Sequence, residues 1–302
     1  MNKPSGKGII FAASSYLLWG VSPLYWKILS DVNSFHILAF RILASLFLVA
    51  AVLFAWKKFS WLSFYKDKRK ALLLALASIS VTLSWGMYIW AVNSGHTIHA
   101  ALGYYINPLM SVILGMIFFR ERLNLLQWIS FGLAMIGVLI QTIISGSLPW
   151  ISLGLALSFA FYGLLKKTIT MPALEMLGVE CLLAVPFGLL ILFAPFVAAI
   201  LPGWHGIGYM SEFNALKFVL LAFTGVVTVV PLYLFSRGAQ MLPLSTLGFV
   251  QFISPTMSFL VAYFVFGEPF PWYDYIVFGL IWSAVILYIV SINIATGEKT
   301  DQ

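Results

Sequence analysis

Long intervals without any Asp, Glu, Lys or Arg residue divide this sequence of 302 residues. The longest covers residues 71–119 and the next covers 123–165, and each is interrupted once by a short polar turn, at 93–97 and at 145–149. Because a helix needs roughly 20 residues to cross a bilayer, each of these intervals predicts two spans joined by a tight turn. Six shorter uncharged intervals each predict one further span: 8–26, 42–56, 181–211, 218–236, 238–267 and 275–297.

The composition agrees with a chain that lies mostly inside a membrane. Hydrophobic residues make up 62% of it and charged residues 9%, whereas soluble domains contain about 25% charged residues. A soluble globular domain, a disordered chain and a disulfide scaffold are therefore excluded, the last also because Cys181 is the one cysteine. We predict an all-α membrane protein with ten spans, at about 7–29, 35–56, 71–93, 98–119, 126–144, 150–167, 174–198, 216–236, 243–266 and 272–294.

The Lys and Arg residues predict the orientation of the chain. With the N-terminus in the cytoplasm, only Lys27, Arg41 and Lys217 of the 17 lie on or near the outer face, as the positive-inside rule requires. This reasoning places Lys166 and Lys167, at the end of the sixth predicted span, on the cytoplasmic side. Both termini are then cytoplasmic, and the net charge of +7 is a topology signal that implies no nucleic-acid partner.

The two halves of the chain, 1–147 and 148–302, contain matching residues. At an offset of 147 the pairs are Pro108 and Pro255, Met110 and Met257, Ser111 and Ser258, Glu121 and Glu268, and Gly132 and Gly279. Five spans are an odd number, so equivalent spans cross the membrane in opposite directions. The sequence thus predicts two inverted five-helix repeats, an arrangement that is typical of secondary transporters.

Pro108 and Pro255 lie inside the fourth and ninth predicted spans. A proline removes a backbone donor and frees a carbonyl one turn earlier, and paired interruptions in corresponding spans indicate a binding region. We therefore predict helix breaks at both prolines. An alternative remains open, in which both merely kink their helices for packing.

Six short motifs are distributed over nearly the whole chain: Leu18-Trp19-Gly20, Pro23-Leu24-Tyr25, Arg41, Ile89-Trp90-Ala91-Val92-Asn93, Leu102-Gly103-Tyr104-Tyr105-Ile106-Asn107-Pro108-Leu109 and Ser245-Thr246-Leu247-Gly248-Phe249. In these motifs the chain resembles the RarD subgroup of the EamA family, in the drug/metabolite transporter superfamily. The resemblance implies two inverted five-helix repeats, a bacterial inner-membrane location and export of a small metabolite or drug-like solute. The substrates that it suggests are amino acids or chloramphenicol-type compounds.

Polar and aromatic residues within the spans are the candidates for substrate binding. A rise of about 1.5 Å per helical residue predicts two groups at different depths. Between the midplane and the outer surface lie Trp19, Arg41, Trp85, Tyr104 and Asn107, and in the cytoplasmic half lie Glu180, Tyr233 and Gln251. The aromatic rings could line a pocket or belong to the belts at the two membrane surfaces. The predicted substrate-binding residues are Trp19, Arg41, Trp85, Tyr88, Trp90, Asn93, Tyr104, Asn107, Tyr233 and Gln251.

Arg41 and Glu180 are ionisable residues inside predicted spans, where such groups usually face a cavity or a partner. Arg41 could bind an anionic end of the substrate or brace a neighbouring helix. Glu180 could couple transport to protons, or it could be an acid that reaches the cytoplasmic face.

Other function classes are less consistent with the sequence. It contains no G-x-x-x-x-G-K-[ST] loop for ATP, and the pair His96 and His99 has no convincing third ligand, so neither a cofactor nor a metal is expected. A passive channel for small solutes is the alternative to a transporter, although no filter-like motif occurs; an enzyme would need paired catalytic groups at one depth. The expected partners are a small-molecule substrate and the lipid bilayer, for a monomer or weak homodimer.

Overall fold

The computed structural model describes residues 5–93, 97–146, 150–200, 214–267 and 271–297. A short 3₁₀ helix, Ser60–Lys66, lies between the second and third α-helices. The eleven α-helices of the described residues are α1 (Gly6–Ile28), α2 (Ser34–Ala55), α3 (Lys68–Asn93), α4 (Thr97–Phe119), α5 (Leu125–Ser145), α6 (Trp150–Thr168), α7 (Ala173–Ile200), α8 (Ala215–Met241), α9 (Leu244–Gln251), α10 (Ile253–Phe264) and α11 (Trp272–Gly297).

Polar residues directly before three of these helices explain where they begin. The Asn33 side chain accepts a hydrogen bond from Phe35 N, and Asn214 does the same for Lys217 N. Asn124 forms a reciprocal capping box with Gln127 at the start of α5. These caps satisfy backbone donors that have no partner within the helix.

The helices confirm an all-α membrane protein. Within the described ranges, nine helical segments are long and apolar enough to cross a membrane, with α9 and α10 together forming one of them. The segment α6 is not among the nine, because Lys166 and Lys167 lie in its last turn. A tenth span at α6 therefore remains a prediction.

The two predicted proline breaks differ in the structure. The helix α9 ends at Gln251 and α10 begins at Ile253, so the ninth predicted span is interrupted at Phe252, three residues before Pro255. By contrast, α4 continues through Pro108 as one helix from Thr97 to Phe119. The expected interruption at Pro108 is thus not present, and this proline is accommodated inside a continuous helix.

The contacts between the first five α-helices and the remaining six keep the same pattern when the two groups are exchanged. The helix α1 packs on α8 and on α9 and α10, and correspondingly α6 packs on α3 and α4. Similarly, α2 packs on α8 while α7 packs on α3. Three further pairs, α2 with α7, α4 with α9 and α5 with α11, are their own counterparts.

Glycines lie where helices of the first five meet helices of the rest. A Cβ on Gly20 of α1 would lie 2.4 Å from Met257 Cβ, and one on Gly225 of α8 would lie 2.7 Å from the Ala44 carbonyl. A Cβ on Gly248 of α9 would lie 2.6 Å from the carbonyl oxygen of Pro108. These helices approach each other backbone to backbone, as small residues permit in membrane proteins.

Candidate functional site

Arg41 lies at the meeting point of five helices, with its guanidinium between two indole rings. Its Cζ is 4.9 Å from the centroid of Trp26 on α1 and 4.6 Å from the centroid of Trp85 on α3. Its Nε donates a hydrogen bond of 3.1 Å to Thr228 Oγ1 on α8. Stacking and cation–π attraction hold the planar group in one orientation.

Two tyrosines complete this group, which we call the Arg41 site (Trp26, Arg41, Trp85, Tyr88 and Tyr104). The rings of Tyr88 and Tyr104 lie 5.7 Å apart in an edge-to-face arrangement. Both interact electrostatically with Arg41, and they are 37% and 44% exposed. Four predicted site residues, Arg41, Trp85, Tyr88 and Tyr104, are therefore neighbours.

The guanidinium retains donors that a ligand could use. Among the residues that the structure describes, the bond to Thr228 is its one hydrogen bond, and neither of the two ion pairs present involves Arg41. Sequence reasoning missed Trp26 and Thr228 as neighbours of Arg41. The sequence contained little indication of these contacts. In particular, a tryptophan near a helix end, such as Trp26, is usually assigned to the membrane interface.

Trp19 belongs to a different group, the aromatic cluster (Tyr16, Trp19, Phe159, Tyr162 and Phe235). Neighbouring ring centroids in this cluster are 5.3–6.1 Å apart. Tyr16 OH lies 3.5 Å from Oε1 of Gln251, which is buried at the end of α9. Tyr233 is partly buried and packs on the same apolar core.

The remaining predicted binding residues lie elsewhere. Asn107 is 3% exposed, and its Oδ1 is 3.5 Å from Ser111 Oγ. Trp90 packs on Trp150, with centroids 6.0 Å apart. Asn93 is the last residue of α3, and its side chain lies outside the described residues, as do those of His96 and His99.

Trp90 lines a separate cavity of about 570 Å³ between α3, α6 and α7. Its walls include Ile79 and Leu83, which are 61% and 53% exposed. The cavity is thus mainly apolar and opens on the side of the molecule. Ala184 also lines it and packs in the same apolar group as Trp85, which belongs to the Arg41 site.

Glu180 forms a buried ion pair, contrary to the alternative in which it reaches the cytoplasmic face. Its Oε1 lies 2.6 Å from Lys166 Nζ, with the two side chains 3% and 0% exposed. Tyr162 OH donates a hydrogen bond of 3.0 Å to the same carboxylate. Lys166 lies in the last turn of α6, within the predicted span 150–167, but its burial was not predicted. It compensates a charge that could not otherwise be buried.

Glu121 joins the end of α4 to the start of α9. Its carboxylate accepts hydrogen bonds from Leu244 N at 2.7 Å and Ser245 N at 2.9 Å. An anion at a helix N-terminus satisfies free backbone donors and interacts favourably with the helix dipole. Lys167 lies nearby, donating to the Leu242 carbonyl. These contacts lie at the end of α4, whereas Tyr104 of the Arg41 site lies near its beginning.

Comparison with known proteins assigns the family. A family model described as the EamA-like transporter family matches the chain twice, over residues 6–143 and 148–290. Protein RarD of Salmonella typhimurium is 41% identical over 95% of this chain and 96% of its own. The uncharacterized transporter YojE of Bacillus subtilis is 40% identical over 94% of each chain.

The fold is also found among solved structures. One crystal structure superposes with a TM-score of 0.71, at 15% sequence identity, over 95% of this chain and 98% of that chain. At this identity the likeness concerns the fold alone.

The apolar helices and the family match together define a multi-pass membrane transporter. The chain belongs to the EamA-like transporter family, within its RarD subgroup, and is a protein of the bacterial inner membrane.

Proposed function

We propose that this protein is a secondary transporter that exports a small metabolite or drug-like solute by alternating access. In this proposal ten spans form two inverted repeats, 1–147 and 148–302, with both termini in the cytoplasm, and the protein acts without catalysis or a cofactor. The observation that carries the proposal is Arg41, whose charged, oriented guanidinium retains free donors within the membrane. An ionisable group in a span usually marks a substrate path.

The symmetric packing of the helices supports the exchange of conformations between the halves. If α1 and α6 exchange environments, and α2 and α7 do likewise, each contact in one state has a counterpart in the other. Such an exchange opens a central site to alternate sides of the membrane. The contacts of Glu121 with α9 then close the cytoplasmic end in the state described here.

The chemistry of the Arg41 site suggests a planar or apolar solute with one strong acceptor group. The guanidinium fork matches a carboxylate or a similar acceptor, while Trp26 and Trp85 provide apolar faces. Amino acids and chloramphenicol-type compounds both fit this description. The predicted residues outside the site, including Trp19, Asn107, Tyr233 and Gln251, would contact the solute further along its path.

Release from proteoliposomes tests the proposal. Vesicles containing the purified protein are loaded with amino acids, nucleosides and chloramphenicol, and the medium is analysed by mass spectrometry. We expect saturable release of one class of solute, and a loss of that release in Arg41→Ala. A matched control is Lys58→Ala, which removes a cation from an exposed loop and should leave release unchanged.

Two outcomes would contradict the proposal. Release of every small solute without saturation would indicate a passive pore. Saturable release that is the same in Arg41→Ala and in the unmodified protein would exclude the Arg41 site from the substrate path.

A further inference from the structure

Arg41 has four N–H donors that no hydrogen bond uses in the described part of the chain. Its Nε–H is engaged, at 3.1 Å from Thr228 Oγ1, so the four are those of Nη1 and Nη2. A carboxylate binds a guanidinium through two parallel hydrogen bonds, either to Nε and one Nη or to both Nη atoms. Because Thr228 occupies Nε, the open edge fits a carboxylate that approaches the guanidinium end-on.

The positive charge of Arg41 has no carboxylate partner among the residues that the structure describes. Six carboxylates belong to these residues, and each has a partner other than Arg41. The partners are Lys217 for Asp31, Lys70 N for Asp67, Leu244 N for Glu121, Ser60 for Glu175, Lys166 for Glu180 and Gln141 for Asp274. Within the described ranges, no acid is thus left to neutralise the guanidinium.

Lys166 shows how the chain compensates another cation within its helices. An uncompensated charge inside a membrane is costly, and such groups therefore pair with one another or face a cavity. Lys166 of α6 is enclosed and lies 2.6 Å from Glu180. Arg41, the eighth residue of α2, is instead partly exposed and interacts with the half-open Tyr88 and Tyr104. An anion that enters the Arg41 site would supply the charge that the described residues do not.

From the open edge and the unpaired charge together we propose that the solute bound at Arg41 is an organic anion. Its carboxylate binds both Nη atoms of Arg41, and the rest of the molecule is uncharged and aromatic or apolar. The inference rests on the proposed function and narrows its substrate class, because net negative charge decides among solutes that fit the site by shape. Neutral compounds and zwitterions bind the site more weakly than the matching anion.

The rings around the guanidinium specify the rest of the solute. Trp26 and Trp85 lie 4.9 and 4.6 Å from Arg41 Cζ, and the partly exposed rings of Tyr88 and Tyr104 meet edge to face at 5.7 Å. Such rings favour contact with an aromatic or apolar body. An ammonium group would be repelled by the guanidinium, and each described carboxylate that could receive it is already engaged.

Three probes that share one ring but differ in charge provide the first test. They are N-acetylphenylalanine, which is an anion, phenylalanine, which is a zwitterion, and N-acetylphenylalaninamide, which is neutral. Isothermal titration calorimetry measures the Kd of each for the purified full-length protein in detergent. We expect the anion to bind roughly 10- to 100-fold more tightly than the neutral amide, as hydrogen bonds between charged groups allow, and more tightly than the zwitterion.

Arg41→Gln removes the charge but keeps an amide donor, so the preference for the anion should disappear. The matched control is Arg237→Gln. The Arg237 guanidinium also lies over a ring, 5.4 Å from the centroid of Phe11, but it is nine residues after Thr228 on α8 and so about 13 Å further along that helix. Arg237→Gln should keep the preference. A preference that persists in Arg41→Gln would overturn the proposal.

Equal affinity of the unmodified protein for the anion and the neutral amide would also overturn the proposal, and this comparison holds even if Arg41→Gln does not fold. Proteoliposomes loaded with the same three probes separate this inference from the proposed function. Saturable release of phenylalanine or of the amide, but not of the anion, would overturn the anion while leaving the transporter intact. Arg41-dependent binding of the anion without release of any probe would support the anion site and contradict the transporter.

Discussion

The carboxylate of Glu121, which follows α4, caps Leu244, the first residue of α9, with an Oε1 to N distance of 2.7 Å. The second oxygen accepts from Ser245 N at 2.9 Å. One side chain of the first half thus satisfies two backbone donors of the second. Because these donors have no partner within α9, separation of α4 from α9 requires that the carboxylate leave them exposed.

Removal of this cap should favour separation of α4 from the start of α9. We expect Glu121→Ala to weaken the contact between α4 and α9 by about 1–2 kcal/mol, because charged helix caps contribute this much. Faster hydrogen exchange of the amides at the start of α9 would measure the effect. Arg122→Ala, at the exposed neighbouring position, is the control, and equal exchange rates in the two variants would contradict the prediction.

Gly20 should not tolerate a side chain. An added Cβ would lie 2.4 Å from Met257 Cβ and 2.9 Å from the Ser254 carbonyl, so α1 and α10 would have to separate. We expect Gly20→Ala to lower stability by about 1–3 kcal/mol, the usual effect of overpacking. Thermal unfolding in detergent measures this.

Gly132, inside α5, provides the comparison for Gly20. An added Cβ there has no heavy atom within 4 Å, and alanine favours the helix by about 0.5–1 kcal/mol over glycine. Gly132→Ala should therefore unfold at the same or a higher temperature. A lower melting temperature for Gly132→Ala than for Gly20→Ala would show that contact distance does not explain these positions.

Loss of one partner of the Lys166–Glu180 ion pair should lower stability more than loss of both partners. Lys166→Met leaves Glu180 buried without its partner, and loss of one partner typically destabilises by about 3–5 kcal/mol. The double variant Lys166→Met with Glu180→Met removes both charges and should recover most of that loss. The melting temperatures of the unmodified protein, of Lys166→Met and of the double variant test this prediction. A double variant that is less stable than Lys166→Met would contradict it.

The shape of the cation at position 41 should affect solute binding. Arg41→Lys keeps the charge but loses the planar group that lies between Trp26 and Trp85. Since a hydrogen bond to a charged group contributes about 1.5–3 kcal/mol, we expect the KM for release to rise roughly tenfold or more. If the KM of Arg41→Lys equals that of the unmodified protein, a positive charge at position 41 is sufficient for solute binding and its planar shape is not required.

The pair formed by Asp31 and Lys217 should give a pH-dependent contribution outside the membrane. Lys217 lies 2.6 Å from Asp31, and its hydrogen bond lowers the pKa of the exposed carboxyl. A lowered pKa means that the stabilisation is present above the ordinary value of about 3.9 and is lost as the pH falls through the lowered value.

Asp31→Asn tests this contribution. Its melting temperature should be slightly below that of the unmodified protein at neutral pH, and the difference should vanish in acid and in high salt, which screens exposed pairs. A difference that stays constant down to strongly acidic pH would exclude the ion pair as its cause.

Uncharged intervals and turns were sufficient to predict the helices closely. The second was predicted at 35–56 and is observed at Ser34–Ala55, and the sixth was predicted at 150–167 and is observed at Trp150–Thr168. The 3₁₀ helix Ser60–Lys66 was not predicted, because its seven residues are too few for a clear periodic pattern. The continuity of α4 through Pro108 was also missed, since packing of neighbouring helices decides whether a proline interrupts a helix.

The candidate site was predictable only in part. The estimated depth along each helix predicted that Arg41, Trp85 and Tyr104 lie at similar heights in the membrane. This estimate works because the rise per helical residue is nearly constant. Rotation about the helix axis and the identity of facing helices are not contained in that estimate. For this reason Trp19 was grouped with Arg41 although its ring lies among Tyr16, Phe159 and Phe235.

Lys166 shows the same limit more sharply. Its position beside Lys167 at the end of an uncharged interval is typical of a cytoplasmic loop, and only the approach of Glu180 from α7 makes its burial possible. A useful signal was nevertheless present. A lone acid within an apolar span requires a cation, and Lys166 was among the nearest in the sequence.

The glycine contacts between the halves have an evolutionary consequence. Where Gly20, Gly225 and Gly248 meet the opposite half, backbone atoms rather than shaped side chains form the surface. In the proposed mechanism the surfaces that move against each other therefore carry almost no solute-specific chemistry, even where Gly225 and Ala44 lie one helical turn from Thr228 and Arg41. On this proposal a new substrate requires changes only in the rings beside the guanidinium, and the contacts between the halves can stay as they are.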